Sequence, residues 1–295
     1  MPARQHPFAV LAAVAFALAG CSGVTGADAT PTRLDDTSGT IGASDPGVGH
    51  VHGLGVDPAD GMLYAATHYG LFRVPATATA TRAGDRQQDT MGFTVTGPNT
   101  FLGSGHPDVQ KDPTLPPRLG LIRSADAGSS WQGVSLSGKA DFHALRVSGT
   151  SVYGLDSATG GLLASVDAGR SWETRGRVAA RDLAVDPARP DVLLATTQEG
   201  LVRSTDGARA WESVVGSPLL AVLAWSGGAG VFGTSPDGTV HRSDDGGLHW
   251  RRVGAAGGPP EAMTADGTGT VFVAVADRGV VASRDAGATF ARYGT

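Results

Sequence analysis

Five of the eight histidines in this 295-residue chain fall between residues 50 and 143: His50, His52, His68, His106 and His143. A neutral imidazole is a nitrogen ligand, and near pH 7 it also carries protons. His50 and His52 lie in His50-Val51-His52-Gly53-Leu54-Gly55-Val56-Asp57-Pro58, which reads as a strand. Residues two apart on a strand face one side with Cα atoms about 6.5–7 Å apart, so both rings can converge on one ion. Imidazole-rich surroundings without thiolate suit Cu(II), Zn or Ni better than Ca or Mg, whose preferred ligands are oxygens. Asp89, Asp108 and Asp141 are then the carboxylates that hold ring tautomers from behind the metal ligands. Three readings stand for this set: a metal held by three or more of the histidines, rings bonded to loop backbone that order a surface, and acid/base catalysis.

The elements that must position these residues come from an internal repeat. The pattern Ser-x-Asp-x-Gly-x-x-Trp starts at Ser124, Ser165, Ser204, Ser243 and Ser283, at intervals of 41, 39, 39 and 40 residues. Its marked positions are Asp126 and Trp131, Asp167 and Trp172, Asp206 and Trp211, Asp245 and Trp250, and Asp285 and Phe290. A period of about 40 with short apolar strands is that of propeller blades. In each copy the Ser and Asp can bond turn N–H groups, the Gly can take positive φ, and the aromatic returns the chain to an apolar interior. The expected fold is all-β: a six-bladed β-propeller of four-stranded antiparallel blades over residues 49–295, with these turns between the third and fourth strands. Successive antiparallel strands then put the five histidines on one face of three adjacent blades and the repeated turns on the other. The five turn aspartates are read as braces, neither catalysts nor ligands. A proline-rich insertion at residues 105–118 breaks the second blade on the histidine face, and a long loop there is functional or disordered.

The repeat resembles the Asp-box (BNR) motif of sialidases, sortilin-type receptors and photosystem II assembly-factor propellers. Two copies depart from it, with Ala208 where Gly is expected and Phe290 where Trp is expected. Blocks such as Asp89-Thr90-Met91-Gly92-Phe93, Ser104-Gly105-His106-Pro107-Asp108 and Ala140-Asp141-Phe142-His143-Ala144 extend the likeness to exported bacterial propellers labelled as sialidase-like glycosyl hydrolases. That resemblance implies three arginines for a substrate carboxylate, a Tyr nucleophile with a Glu partner and an Asp acid/base. Only Arg181 and Arg278 fall near the mouth, and Tyr69 with Glu261 are the candidates for the catalytic pair. Because the motif occurs in enzymes, receptors and assembly factors, it speaks for fold more than for function. The reading preferred from the sequence is a binding module for a metal, ligand or partner, with a glycoside hydrolase as the alternative.

The chain opens with a basic residue, Arg4, and an apolar run from Phe8 to Ala19, which is the layout of an export signal. Leu18-Ala19-Gly20-Cys21 resembles a bacterial lipobox, and Cys21 is the sole cysteine, which excludes disulfides within the domain. The organisation expected is a lipoprotein signal peptide over 1–21, a flexible tether over 22–48 and the propeller. Roughly 27 tether residues would span about 30 Å. The protein is thus expected outside the cytoplasm, held to the membrane through the Cys21 lipid, with a protein or carbohydrate as possible further partner. A net charge of −5 without a basic run argues against nucleic acid.

Overall fold

The computed structural model describes residues 47–294; the signal peptide, Cys21 and nearly all of the tether lie outside them. Six four-stranded antiparallel sheets follow one another in sequence, over residues 51–82, 89–135, 142–176, 180–213, 222–255 and 260–292. The first strand of each sheet packs against the first strands of the sheets before and after it, and that of the sixth packs against that of the first. The ring so closed is a six-bladed β-propeller. Every blade keeps its four strands in chain order, so among the described residues the ring closes by packing, with no strand exchanged between the first and last blades. Among the described residues no helix is long and apolar enough to cross a membrane.

Position in the blade decides composition. Second strands such as Leu63–Thr67 and Val271–Val275 are buried along their whole length, because neighbouring blades cover both of their faces. Their runs are therefore continuously apolar or small. Fourth strands form the rim, and Thr81–Arg82, Glu212–Ser213 and Ala291–Arg292 are two residues long and largely exposed, which blunts an open edge. One apolar cluster fills each seam between blades. At the second seam, Leu102 and Leu121 meet Phe142, Leu145 and Val152. At the closing seam, Val51 and Leu63 meet Ala262 and Phe272, and Tyr293 packs alongside. Each fully buried Leu or Phe contributes about 1.5–3 kcal/mol, so the seams hold the ring.

The repeated turns share one bonding scheme. In the second copy, the Ser165 hydroxyl donates to Asp167 Oδ1 (2.7 Å) and accepts from the Gly169 N–H (2.8 Å). Asp167 in turn accepts from the Ser171 N–H (2.8 Å) and from the Ser171 hydroxyl (2.6 Å). Two consecutive residues take positive φ in each turn, and in the third copy Ala208 does so at φ 67°. Its methyl is buried in the seam between blades three and four, where the other copies bring in a neighbouring side chain instead. The turn aromatics pack at the seams but are half-buried, less covered than a ring wedged fully between sheets.

Blade two departs from the expected strand limits. Its first two strands are Asp89–Gly97 and Thr100–His106, and pairing runs to Asp89 opposite His106. Both residues are thereby lifted from loop to strand end. Gly105 permits it, since a Cβ there would lie 2.1 Å from the Asp89 carbonyl oxygen.

Candidate functional site

Five of the six innermost strands carry a β-bulge at the same end. The register slips at His52 in Val51–Val56, at Met91 in Asp89–Gly97, at His143 in Phe142–Ser148, at Arg181 in Ala180–Val185 and at Glu261 in Pro260–Ala265. A bulge leaves one residue outside the ladder and re-aims its side chain. Here four of the five, His52, His143, Arg181 and Glu261, line a cavity of about 60 Å³ on the propeller axis. The bulged residue stands two before an apolar residue in every case: Leu54, Phe93, Leu145, Leu183 and Met263. Leu54, Phe93, Met263 and Arg146 border both this cavity, an axial well, and a second cavity next to it. Arg146 is fixed by bonds to the carbonyls of Leu183 (2.6 Å) and Leu145 (2.8 Å) and by an ion pair with buried Asp182. Arg181 reaches from blade four to the Pro260 carbonyl of blade six (2.9 Å), across the mouth of the well.

Beside the well, three ligand-type atoms converge. His52 Nε2 lies 3.1 Å from His68 Nδ1, His68 Nδ1 lies 3.0 Å from Asp89 Oδ1, and His52 Nε2 lies 3.6 Å from Asp89 Oδ1. The edges of a metal tetrahedron with bonds of about 2.0–2.1 Å measure about 3.3–3.4 Å, so this triangle has the size of one face. A His68 Nδ1–H can donate to Asp89 while His52 Nε2 offers its lone pair, and a metal ion would take the lone pairs of all three atoms at once. Burial, followed by the nearby rings of His68, His50 and His143, brings the His52 pKa down to about 3, so that ring is neutral at pH 7. His50 stands next to the triangle, with its ring centroid 4.9 Å from that of His52 and 5.7 Å from that of His68. Its Nδ1 donates to Glu261 Oε1 (2.7 Å), while Glu261 Oε2 accepts the Val51 N–H (3.1 Å). That bond leaves the lone pair of His50 on Nε2, the arrangement in which a carboxylate prepares a histidine for a metal.

The five histidines thus share a face but not a centre. His106 bonds the Pro117 carbonyl through Nδ1 (2.7 Å) and turns Nε2 to Asp141 Oδ2 at 3.8 Å. His143 Nε2 lies 3.1 Å from the same oxygen, which also accepts the Ser157 hydroxyl (2.7 Å). Asp141 Oδ1 is buried without a partner among the described residues. Asp89 stands among the ligand atoms and not behind them. Asp108 is a loop brace, with its carboxylate spent on the N–H groups of Gln87 (2.9 Å) and Gln110 (3.1 Å). Together with the Arg86–Asp112 pair (2.6 Å) it ties the insertion down as a wall of the mouth. Glu261 is committed to His50 and Val51, and Tyr69 is partly exposed beside His68. Arg278 bonds the Gly257 carbonyl (2.7 Å) and does not line the well. Arg146 was not a sequence candidate; its place, one after the apolar residue of an inner strand, becomes legible when the six inner strands are aligned on that residue.

No protein-family model matches the chain, and no curated protein does. Solved structures resemble it in fold. A GH74 xyloglucanase from Xanthomonas campestris superposes with a TM-score of 0.54 at 18% identity, over 83% of this chain and 45% of that one. A chain of a nidogen/laminin complex superposes with a TM-score of 0.61 at 12% identity, over 79% of this chain and 92% of that one. The extracellular domain of a putative one-component system from B. thetaiotaomicron gives 0.55 at 12%, over 85% and 33%. The chain therefore spans under half the length of the xyloglucanase, and likeness at these identities is one of fold.

Proposed function

We infer that the protein is a tethered binding module whose mouth holds one divalent transition metal, Cu(II), Zn or Ni, through His52, His68 and Asp89. The observation that carries this is the triangle of ligand atoms at 3.0, 3.1 and 3.6 Å around a histidine that burial keeps neutral. His50 stands by as a further donor under the hold of Glu261, and Asp141 orders His106 and His143 at the rim. Three protein ligands leave a coordination position for an outside ligand, as binding and catalytic sites require and closed structural sites do not. The test is metal content and thermal shift of protein purified without an affinity tag. Wild type should carry about one metal per chain and gain stability on adding Cu(II), Zn or Ni, whereas His52→Ala and Asp89→Ala should do neither. Metal-free wild type that no such ion stabilises would refute the assignment.

Export and lipid attachment at Cys21 complete the proposal, resting on Leu18-Ala19-Gly20-Cys21 and the lone cysteine. Cys21→Ala should move the protein from the membrane fraction to the soluble one. The glycoside-hydrolase reading has GH74 enzymes among its fold neighbours. Against it, Glu261 has both oxygens engaged by His50 and Val51. A protein partner is compatible with the same fold, as in the nidogen/laminin complex.

A further inference from the structure

We propose that the axial well binds a small planar oxyanion, of the carboxylate or carbonate class, with one oxygen on the metal and the rest of the group facing Arg181. This rests on the metal reading above and adds a ligand to it. His52 belongs both to the triangle and to the wall of the well, so the open coordination position and the cavity adjoin. The cavity volume of about 60 Å³ sets the size. A single water needs about 10–15 Å³ by this measure, so the well takes about four to six such atoms, which fits acetate or bicarbonate and excludes a sugar ring.

Charge sets the sign. Among the groups lining the well, Arg146 and Arg181 balance Asp182 and Glu261, while Asp89 beside His52 and Asp141 beside His143 leave the metal-free surroundings negative. A dication cancels those two charges next to Arg181, so an anion is admitted only after the metal. Donor geometry sets the shape. Arg146 is consumed by two carbonyls and Asp182. Arg181 gives one N–H to Pro260, and the remaining donors of its planar fork match two oxygens of a planar anion.

The experiment titrates protein loaded with Cu(II) with sodium acetate, sodium bicarbonate and sodium chloride at constant ionic strength, reading the visible absorption and paramagnetic resonance of the copper. Acetate and bicarbonate should each produce a saturable change in wild type. In Arg181→Gln the copper content should stay at one per chain while half-saturation rises about tenfold or more, the worth of a charge-assisted hydrogen bond. Metal-free protein should give no acetate signal by calorimetry. Copper bound stoichiometrically but indifferent to both oxyanions would overturn the anion site and leave the metal site standing. A response to chloride as strong as that to acetate, or Arg181→Gln titrating like wild type, would overturn the role of the planar fork. Failure to bind copper at all would overturn both readings.

Discussion

The His52 ring is covered by its neighbours, and its pKa of about 3 makes the metal-free protein sensitive to acid in a defined window. The folded value lies below the 6.5 of an unperturbed imidazole, so between about pH 6.5 and 3 the unfolded chain binds a proton that the folded one refuses. Stability from this group is complete above pH 6.5 and is lost as the pH falls through that window. Urea unfolding of metal-free protein at pH 7 and pH 5 should show this loss, and His52→Gln should reduce it; an unchanged pH slope would mean that the ring is not held neutral by the fold. At this scale the sequence named the histidines and Asp89 but could not divide the labour among them. Whether Asp108 faces a ring or a loop N–H depends on the path of the insertion between Pro107 and Arg118, and contacts from Arg86, Gln87 and His106, distant in sequence from the residues they hold, decide that path.

The repeated turns brace five of the six blades, all but the first, from the face opposite the histidines. Trp172 donates its Nε1–H to Ser135 (2.9 Å) and to the Gly169 carbonyl (3.0 Å), and its ring lies 4.9 Å from that of Phe142. Because the ring is half-buried, Trp172→Ala should cost about 2–3 kcal/mol, below the range for a fully buried aromatic. Metal content of the surviving folded protein should be unchanged; a stable variant without metal would mean that the turns and the site are coupled. Gly169→Ala should be at least as damaging. Its φ is +83°, and an added Cβ would lie 2.1 Å from Leu121 Cδ2, so left-handed strain adds to overpacking for about 2–4 kcal/mol. Chemical denaturation of both variants checks the order. The Asp167 carboxyl is held below the usual carboxylate range, first by the Ser171 hydroxyl and then by the Ser171 N–H and Ser165. Its contribution is therefore present above about pH 4 and fades as the pH falls further, and Asp167→Asn should flatten that part of the acid-unfolding curve.

The ring as a whole closes where blade six meets blade one. The Gly294 N–H bonds the Ala76 carbonyl of blade one (3.1 Å), and Tyr293 packs edge-on against Phe272 at 5.0 Å in the closing seam. Removing residues 291–295 should lower the melting temperature by about 4–16 °C, since about 2–4 kcal/mol of packing is lost and each kcal/mol moves a domain of this size by about 2–4 °C. Calorimetry checks this, and an unshifted transition would show that the seam closes without the tail. The blade count, the strand order and the face that carries the histidines were legible in the sequence, because a period of about 40 residues and the alternation of connections are local properties that pairing must respect. The grouping of His52 with His68 and Asp89, the turning of Glu261 toward His50, and the well under Arg181 were decided by the tertiary structure alone. His52 and His68 flank one hairpin pairing, but Asp89, Glu261 and Arg181 come from other blades, and no local pattern fixes the distance between residues that only the packing of blades brings together.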